Sequence, residues 1–294
     1  MSASQTSIGK DVSVNGLGLH TGARSQLTFK PAPANTGIVF VRKDLPAQPT
    51  IRAHVSNVVD VVRGTTLGWA DVRVYTVEHV LASLYGFGVD NVFVELDNIE
   101  PPVLDGSAKL FTKILQEAGL KVLEAPRQIL TLDQPIEYTD QKTLIRAEPA
   151  SELSMECSIS YDHPLIKHQS LTISINPDTF ANEISPARTF CFDFEVETLK
   201  RAGLAKGGSL DNAVVIGMDR FYSKEKELRF PDEFVRHKML DLLGDLYLLG
   251  AQLKARIIAQ RCGHGHNIKF VKLLSNAWAK KNNPSVPNDI PVNH

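Results

Sequence analysis

The stretch "FVRHKMLDLLGDLYLLG", residues 234–250, decides how the chain is read, because a leucine-rich run is interrupted by an imidazole and two carboxylates at regular intervals. Successive residues of a helix advance by about 100°, so positions four apart differ by roughly 40°. His237, Asp241 and Asp245 therefore share one arc of about 80°. Met239, Leu240, Leu242, Leu243, Leu246 and Leu249 cover most of the remaining surface. That distribution predicts a helix meant for a core. A lone carboxylate buried there is costly unless it is paired or binds a cation. A hydrogen-bonded pair, a solvated stripe and a metal site all remain open on spacing alone.

Outward from this helix, the chain repeats one order of elements. "SQLTFKPA" and "GIVFVRKD" alternate apolar and polar residues between Gly and Pro punctuation, as strands do. "YTVEHVLASLYGFG" changes to helical spacing at Val77, Val80, Leu81 and Leu84, with Thr76 as its expected N-cap and Gly86 and Gly88 at its end. "NVFVEL" then reads as a strand, and "KLFTKILQEAGL" as a second helix. The pattern restarts after "EAPRQ", near Ala125. "RQILTL", "PIEYTD", "KTLIRAEP", "ELSMECSISYD" and "HQSLTISI" follow as short strands, and the helices again come late. The fold class expected is α+β, with strands before helices in each half. The halves are residues 1–125 and 126–279, and the Pro-rich end, 280–294, reads as a mobile tail.

The totals exclude some functions. The chain has 294 residues with 32 Lys plus Arg against 33 Asp plus Glu, a formal net charge of -1. No nucleic-acid partner is expected from so balanced a charge. Cys157, Cys191 and Cys262 are few, odd in number and far apart, so neither a disulfide framework nor a thiolate zinc knuckle is expected. The amino terminus has no signal-peptide core, and no window has the length and hydrophobicity of a transmembrane segment. A reduced, cytoplasmic protein without an obligate protein partner is the reading.

A metal site on the 234–250 helix needs further ligands, and the nine histidines are where to look. His54, His163 and His168 stand in polar or turn-like contexts and read as surface residues. His79 follows Glu78 in the first turn of a helix, and His264 and His266 lie in "GHGHN". Each also has an ordinary reading: a core or capping histidine, a favourable first-turn acid, a turn. Taken together, His79, His237 and Asp241 offer two nitrogens and one oxygen, a catalytic zinc set with a position left for water. Fe2+ would also accept these donors. Glu78 would then take a proton, and Asp245 would orient a second histidine. A zinc peptidase or other amidase, and a carbohydrate-binding protein with a structural zinc, remain alternatives; HExxH is absent.

Seven motifs in order carry a resemblance: "GLGLHTG" (16–22), "TVEHVLASL" (76–84), "PPVLDGSA" (101–108), "ARTFCF" (187–192), "GLAKGGSLDNAVV" (203–215), "RHKMLDLLGDLYLLG" (236–250) and "GHGHN" (263–267). Over residues 8–274 the chain strongly resembles the zinc-dependent UDP-3-O-acyl-N-acetylglucosamine deacetylases of lipid A biosynthesis. The resemblance implies two similar domains, each a β-sheet layer with two helices, the helices sandwiched between the sheets. It also implies a small insert in each, near 42–72 and 193–215. It implies removal of the N-acetyl group from an acylated UDP-sugar, the committed step towards lipid A, in the cytoplasm of a bacterium with a lipid A outer membrane.

The same resemblance implies roles for named residues. His79, His237 and Asp241 match metal ligands, Glu78 the general base, and His264 the general acid, with Asp245 as its partner. Thr189 matches a hydroxyl that stabilises the oxyanion, and His20 and Lys238 match contacts to the nucleotide part of the substrate. Phe190, Phe192, Val196, Leu204, Gly208, Ser209, Ala213 and Val215 belong to the second insert, whose apolar passage would hold the acyl chain. Position 63 is Arg, where some relatives carry a cysteine for a second, inhibitory zinc.

Overall fold

The computed structural model describes residues 4–282, so of the predicted tail 280–294 only the first three residues fall within it. The first half runs β1 (Ser4–Ile8), β2 (Val12–Leu17), β3 (Arg24–Pro31), β4 (Ile38–Arg42), β5 (Thr50–Arg52), β6 (Val58–Asp60), β7 (Thr66–Trp69) and β8 (Val72–Val74), then α1 (Glu78–Phe87), β9 (Val92–Leu96) and α2 (Lys109–Ala118). The second runs β10 (Leu120–Pro126), β11 (Ile129–Thr131), β12 (Ile136–Asp140), β13 (Thr143–Pro149), β14 (Ser154–Ser160), β15 (His168–Ser174), α3 (Pro177–Thr179), β16 (Phe190–Phe192), α4 (Asp193–Arg201), β17 (Val214–Ile216), β18 (Phe221–Tyr222), α5 (Glu233–Leu246), β19 (Gln252–Gln260) and α6 (His264–Asn282).

One topology occurs twice. The first sheet has the order β2-β3-β9-β4-β5, and the second β12-β13-β19-β14-β15, with β11 also beside β19. In each, the strand between the two hairpins is antiparallel to one neighbour and parallel to the other: β9 to β3 and β4, β19 to β13 and β14. The chain is thus a two-domain α+β fold, the class expected. The helices form the middle layer. α1 packs on α2 and α5, α5 packs on α6, α2 lies against β2, and α5 and α6 lie against the second sheet. β1 pairs antiparallel with β10, so a division after Ala125 falls within a strand, and Pro126 sits opposite Ser4.

Two small sheets stand apart from the main ones. β6, β7 and β8 form the first, and β16, β17 and β18 the second, with α4 between β16 and β17. The strands of the first run from Val58 to Val74, while β5 pairs with β4 in the main sheet and sends Ile51 into the core. The second continues past residue 215 to Tyr222.

Helix α5 is buried at all its positions except Arg236 and Lys238. Full burial of a leucine is worth about 1.5–3 kcal/mol, so the leucines of this helix outweigh what its polar stripe costs once that stripe is paired. Its closest neighbour is α1. A methyl group on Gly244 would overlap the carbonyl of Glu78, so the crossing requires a residue without Cβ there. The expected Thr76 cap is not made. The N-cap of α1 is Val77, which makes no side-chain cap bond, and the Thr76 hydroxyl donates instead to Glu100 Oε1 at 2.8 Å. Gly244→Ala should destabilise the protein by about 1–3 kcal/mol through overpacking, read as a lower melting temperature, with a loss of activity because the carbonyl displaced belongs to Glu78.

Candidate active site

The α1–α5 crossing brings together side chains from both halves. Glu78 and His79 open α1, and His237, Asp241 and Asp245 lie along α5. All five are buried. His79 Nε2 is 3.6 Å and His237 Nε2 3.4 Å from Asp241 Oδ1. The two imidazoles meet edge to face, with ring centroids 5.0 Å apart. One ligand atom from each of His79, His237 and Asp241 lies within 4.8 Å of the other two.

These donors fit a divalent cation. His237 Nδ1 is 3.1 Å from the carbonyl of Ala187, which can only accept, so that nitrogen carries the proton and Nε2 keeps its lone pair for the site. Burial pushes the His237 pKa down to about 3, which leaves the ring neutral. For Asp241, burial acts to raise the carboxyl, but electrostatic interactions with the neighbouring His237 imidazole and the Lys238 ammonium outweigh it and hold the group well below its usual range. Lys238 Nζ donates to Asp241 Oδ2 at 2.8 Å, and its ammonium lies 5.8 Å from the centre of the Phe190 ring.

A turn further along α5, Asp245 does something different. Its carboxylate accepts from His264 Nδ1 at 2.9 Å, Asn267 Nδ2 at 2.9 Å and the Thr65 hydroxyl at 2.6 Å. "GHGHN" is therefore the start of α6 rather than a free turn, and His264 and Asn267 are presented from its first turn. Burial works against charge on His264, but the Asp245 and Glu78 carboxylates dominate and raise its pKa to about 9. Its Nε2 is 3.8 Å from Glu78 Oε1 and 3.8 Å from Asp241 Oδ2. Burial raises the pKa of Glu78, and His264 and His79 temper the rise. Glu78 Oε2 accepts the Thr65 amide at 2.9 Å. Thr65 thus bonds both the base candidate and the partner of the acid candidate. Nothing local in "RGTT" singles out this buried threonine.

One pocket is lined by Glu78, His79, His237, Lys238, Asp241, His264, Thr189 and Phe190, with Leu19, Val61, Arg63 and Thr76. Thr189 and Phe190 also line a neighbouring, mostly apolar cleft, with His20, Arg63, Cys191, Val196, Leu199, Gly208, Ser209, Ala213 and Val215. Six of the eight residues expected for an acyl passage meet there. Phe192 instead stacks on Phe194, with centroids 5.2 Å apart, and packs on Tyr161. Leu204 lines a different cleft beside Thr21, Arg73 and Thr76. His20 bridges the two small sheets, with Ala205 N donating to its Nδ1 and its Nε2 directed at Arg63 O, both at 3.3 Å. Arg63 also pairs with Glu195 at 2.6 Å, which ties the first insert to α4. Among the other histidines, His163 is buried against Phe192 rather than lying on the surface.

A candidate cation triad beside the buried Glu78 and His264, next to an apolar cleft, has an arrangement suited to a hydrolase. Comparison with known proteins makes the class specific. Residues 5–276 match the model of the family "LpxC: UDP-3-O-acyl N-acetylglycosamine deacetylase". The UDP-3-O-acyl-N-acetylglucosamine deacetylase of Anaeromyxobacter dehalogenans is 47% identical over 91% of this chain and 86% of its own length. The enzyme of the same name from Myxococcus xanthus is 45% identical over 92% of this chain and 86% of its own. A "Bifunctional enzyme LpxC/FabZ" of Chlorobaculum tepidum is 42% identical over 92% of this chain and 64% of its own length. The chain belongs to the UDP-3-O-acyl N-acetylglycosamine deacetylase family.

The sign of the His264 shift fixes a test. A histidine pKa raised above its ordinary value stabilises the fold fully below about 6.5, and that contribution is lost as pH rises through about 9. In metal-free protein, NMR titration should find the His264 ring charged at neutral pH. Asp245→Asn should bring its midpoint down towards the ordinary histidine value. An unchanged midpoint would remove Asp245 as the cause.

Proposed function

We propose that this chain is a metal-dependent amidohydrolase that removes the N-acetyl group from UDP-3-O-acyl-N-acetylglucosamine, the committed step of lipid A biosynthesis. The observation that carries the reading is the convergence of His79, His237 and Asp241 with Glu78 and His264 in one pocket continuous with an apolar cleft. Family membership supports the substrate. Zinc is the proposed ion, and Fe2+ suits the same donors. The proposed setting is the cytoplasm of a bacterium with a lipid A outer membrane. In support, no helix among the described residues is long and apolar enough to cross a membrane.

Bound to the triad, the ion would polarise the acetyl carbonyl and lower the pKa of a water molecule. Glu78 accepts a proton from the attacking water as its oxygen bonds to the acetyl carbon. Its raised pKa makes it a better base near neutral pH than an exposed carboxylate. Thr189 donates its hydroxyl to the oxyanion, a preorganised contact of the kind that often contributes most to catalysis. His264, cationic through Asp245, gives a proton to the amide nitrogen, and the C–N bond breaks to leave acetate and a free amine. Lys238 and His20 hold the nucleotide part, and the cleft between α4 and the 208–215 segment holds the acyl chain.

Activity should rise as Glu78 loses its proton and fall as His264 loses its own, with the alkaline limb near 9. His264→Ala should lower kcat by about 10²–10⁴-fold with KM little changed; a normal turnover number would remove it from the mechanism. Ala213→Phe should raise KM for long-acyl substrates and spare a short-acyl analogue. Equal losses for both would count against the cleft as the acyl site.

A further inference from the structure

Glu100 is 1% exposed and does not line the pocket of the triad. Among the described residues no Lys or Arg forms an ion pair with it. Its carboxylate instead collects hydrogen-bond donors from two segments. Oε1 accepts from His20 N at 3.0 Å and the Thr76 hydroxyl at 2.8 Å. Oε2 accepts from Thr21 N at 2.8 Å and the Thr21 hydroxyl at 2.7 Å. A carboxylate offers about four acceptor sites, so these donors fill it. Gly18 lies so close that a methyl group there would overlap Glu100 Oε2.

Each of the two segments leads to a wall of the active site. The loop at residues 18–22 carries His20 and docks on the second insert, where Gly207 N donates to Leu19 O at 3.0 Å and Lys206 N to His20 O at 3.3 Å. On the other side, Thr76 has φ 52, a left-handed conformation that a β-branched residue rarely adopts. It stands two residues before Glu78 and three before His79. Strained backbone of this kind persists only where the surroundings hold it, and the bond from the Thr76 hydroxyl to Glu100 does so here.

We propose that Glu100 is a positioning residue for the deacetylase centre, one buried carboxylate that fixes the His20 loop and, through Thr76, the entry of Glu78 and His79 into the site. This rests on the function proposed above. Without the carboxylate, the amides of residues 20 and 21 lose their acceptor and the loop loosens. The left-handed turn at Thr76 also loses its tether and relaxes, which swings the start of α1.

The test separates the two arms by kinetics on the acylated UDP-sugar, with melting temperature followed throughout. Glu100→Ala should lower kcat by about 10²-fold, the loss that a displacement near 1 Å can cause, and should raise KM. Adding Thr76→Gly should restore kcat about tenfold, because glycine takes the left-handed turn without a tether, while KM stays raised because the His20 loop is still free. A role confined to general stability gives no such split. If Glu100→Ala folds poorly, Glu100→Gln with and without Thr76→Gly carries the same comparison. Full activity in the Glu100 variants, or a double variant no faster than the single one, would overturn the proposal. An inactive wild-type chain would instead overturn the parent reading, and this one with it.

Discussion

A cation cannot be shared between two halves of a chain unless their backbones come close enough for short side chains to meet. Helices usually pack with axes about 8–10 Å apart, a spacing set by the side chains between them. Here α1 and α5 must present His79, His237 and Asp241 with ligand atoms inside 4.8 Å. Gly244 makes room by letting α5 ride against the carbonyl of Glu78. The close point falls one turn from Asp241 on one helix and at the first residue of the other. The same contact therefore sets the packing of the halves and the geometry of the site.

With the helices fixed, the electrostatics follow from which neighbours each carboxylate meets. Asp241 and Asp245 lie on the same stripe of α5, equally buried, four residues apart. Asp241 faces two imidazoles and the ammonium of Lys238, and is held ionised as an oxygen donor. Asp245 faces His264, Asn267 and Thr65, and its charge is spent on keeping an imidazole protonated. Glu78 has one backbone donor, from Thr65, and burial dominates its behaviour. The three buried acids thus differ in their electrostatics: Asp241 and Asp245 are governed by the groups they face, and Glu78, with fewer partners, by its burial. Each avoids the penalty of an unpaired buried charge.

What could be read from sequence was what local periodicity encodes. The arc of His237, Asp241 and Asp245 follows from helical geometry, and the repeated order of strands and helices follows from alternation and turn residues. Thr65 was not legible, because its value lies in bonding two groups far along the chain. The cap expected at Thr76 failed for a related reason: a distant carboxylate competes for its hydroxyl, and tertiary bonding outweighs the local preference. That β5 joins the main sheet is likewise not encoded locally, because it depends on pairing with β4. Phe192 departs from the cleft that Phe190 lines because the chain turns into α4 immediately after it.

The repeated topology explains why the site sits where it does. Two copies of one sheet order, each with a helix pair on its inner side, bring corresponding helices face to face when they pack. α1 and α5 occupy the same place in the two orders, each following its half's small sheet and preceding the parallel central strand. A pseudo-symmetric contact of this kind offers polar positions from both sides but does not require them to match. The first half supplies the base candidate and one imidazole; the second supplies the other imidazole, both aspartates and the acid candidate. The small sheets inserted before these helices then become the two sides of one cleft, joined through His20 and the Arg63–Glu195 pair. Since neither half holds all of His79, His237 and Asp241, the candidate cation site exists only where the halves pack, and a cation bound there would add its free energy to the cohesion of the whole chain.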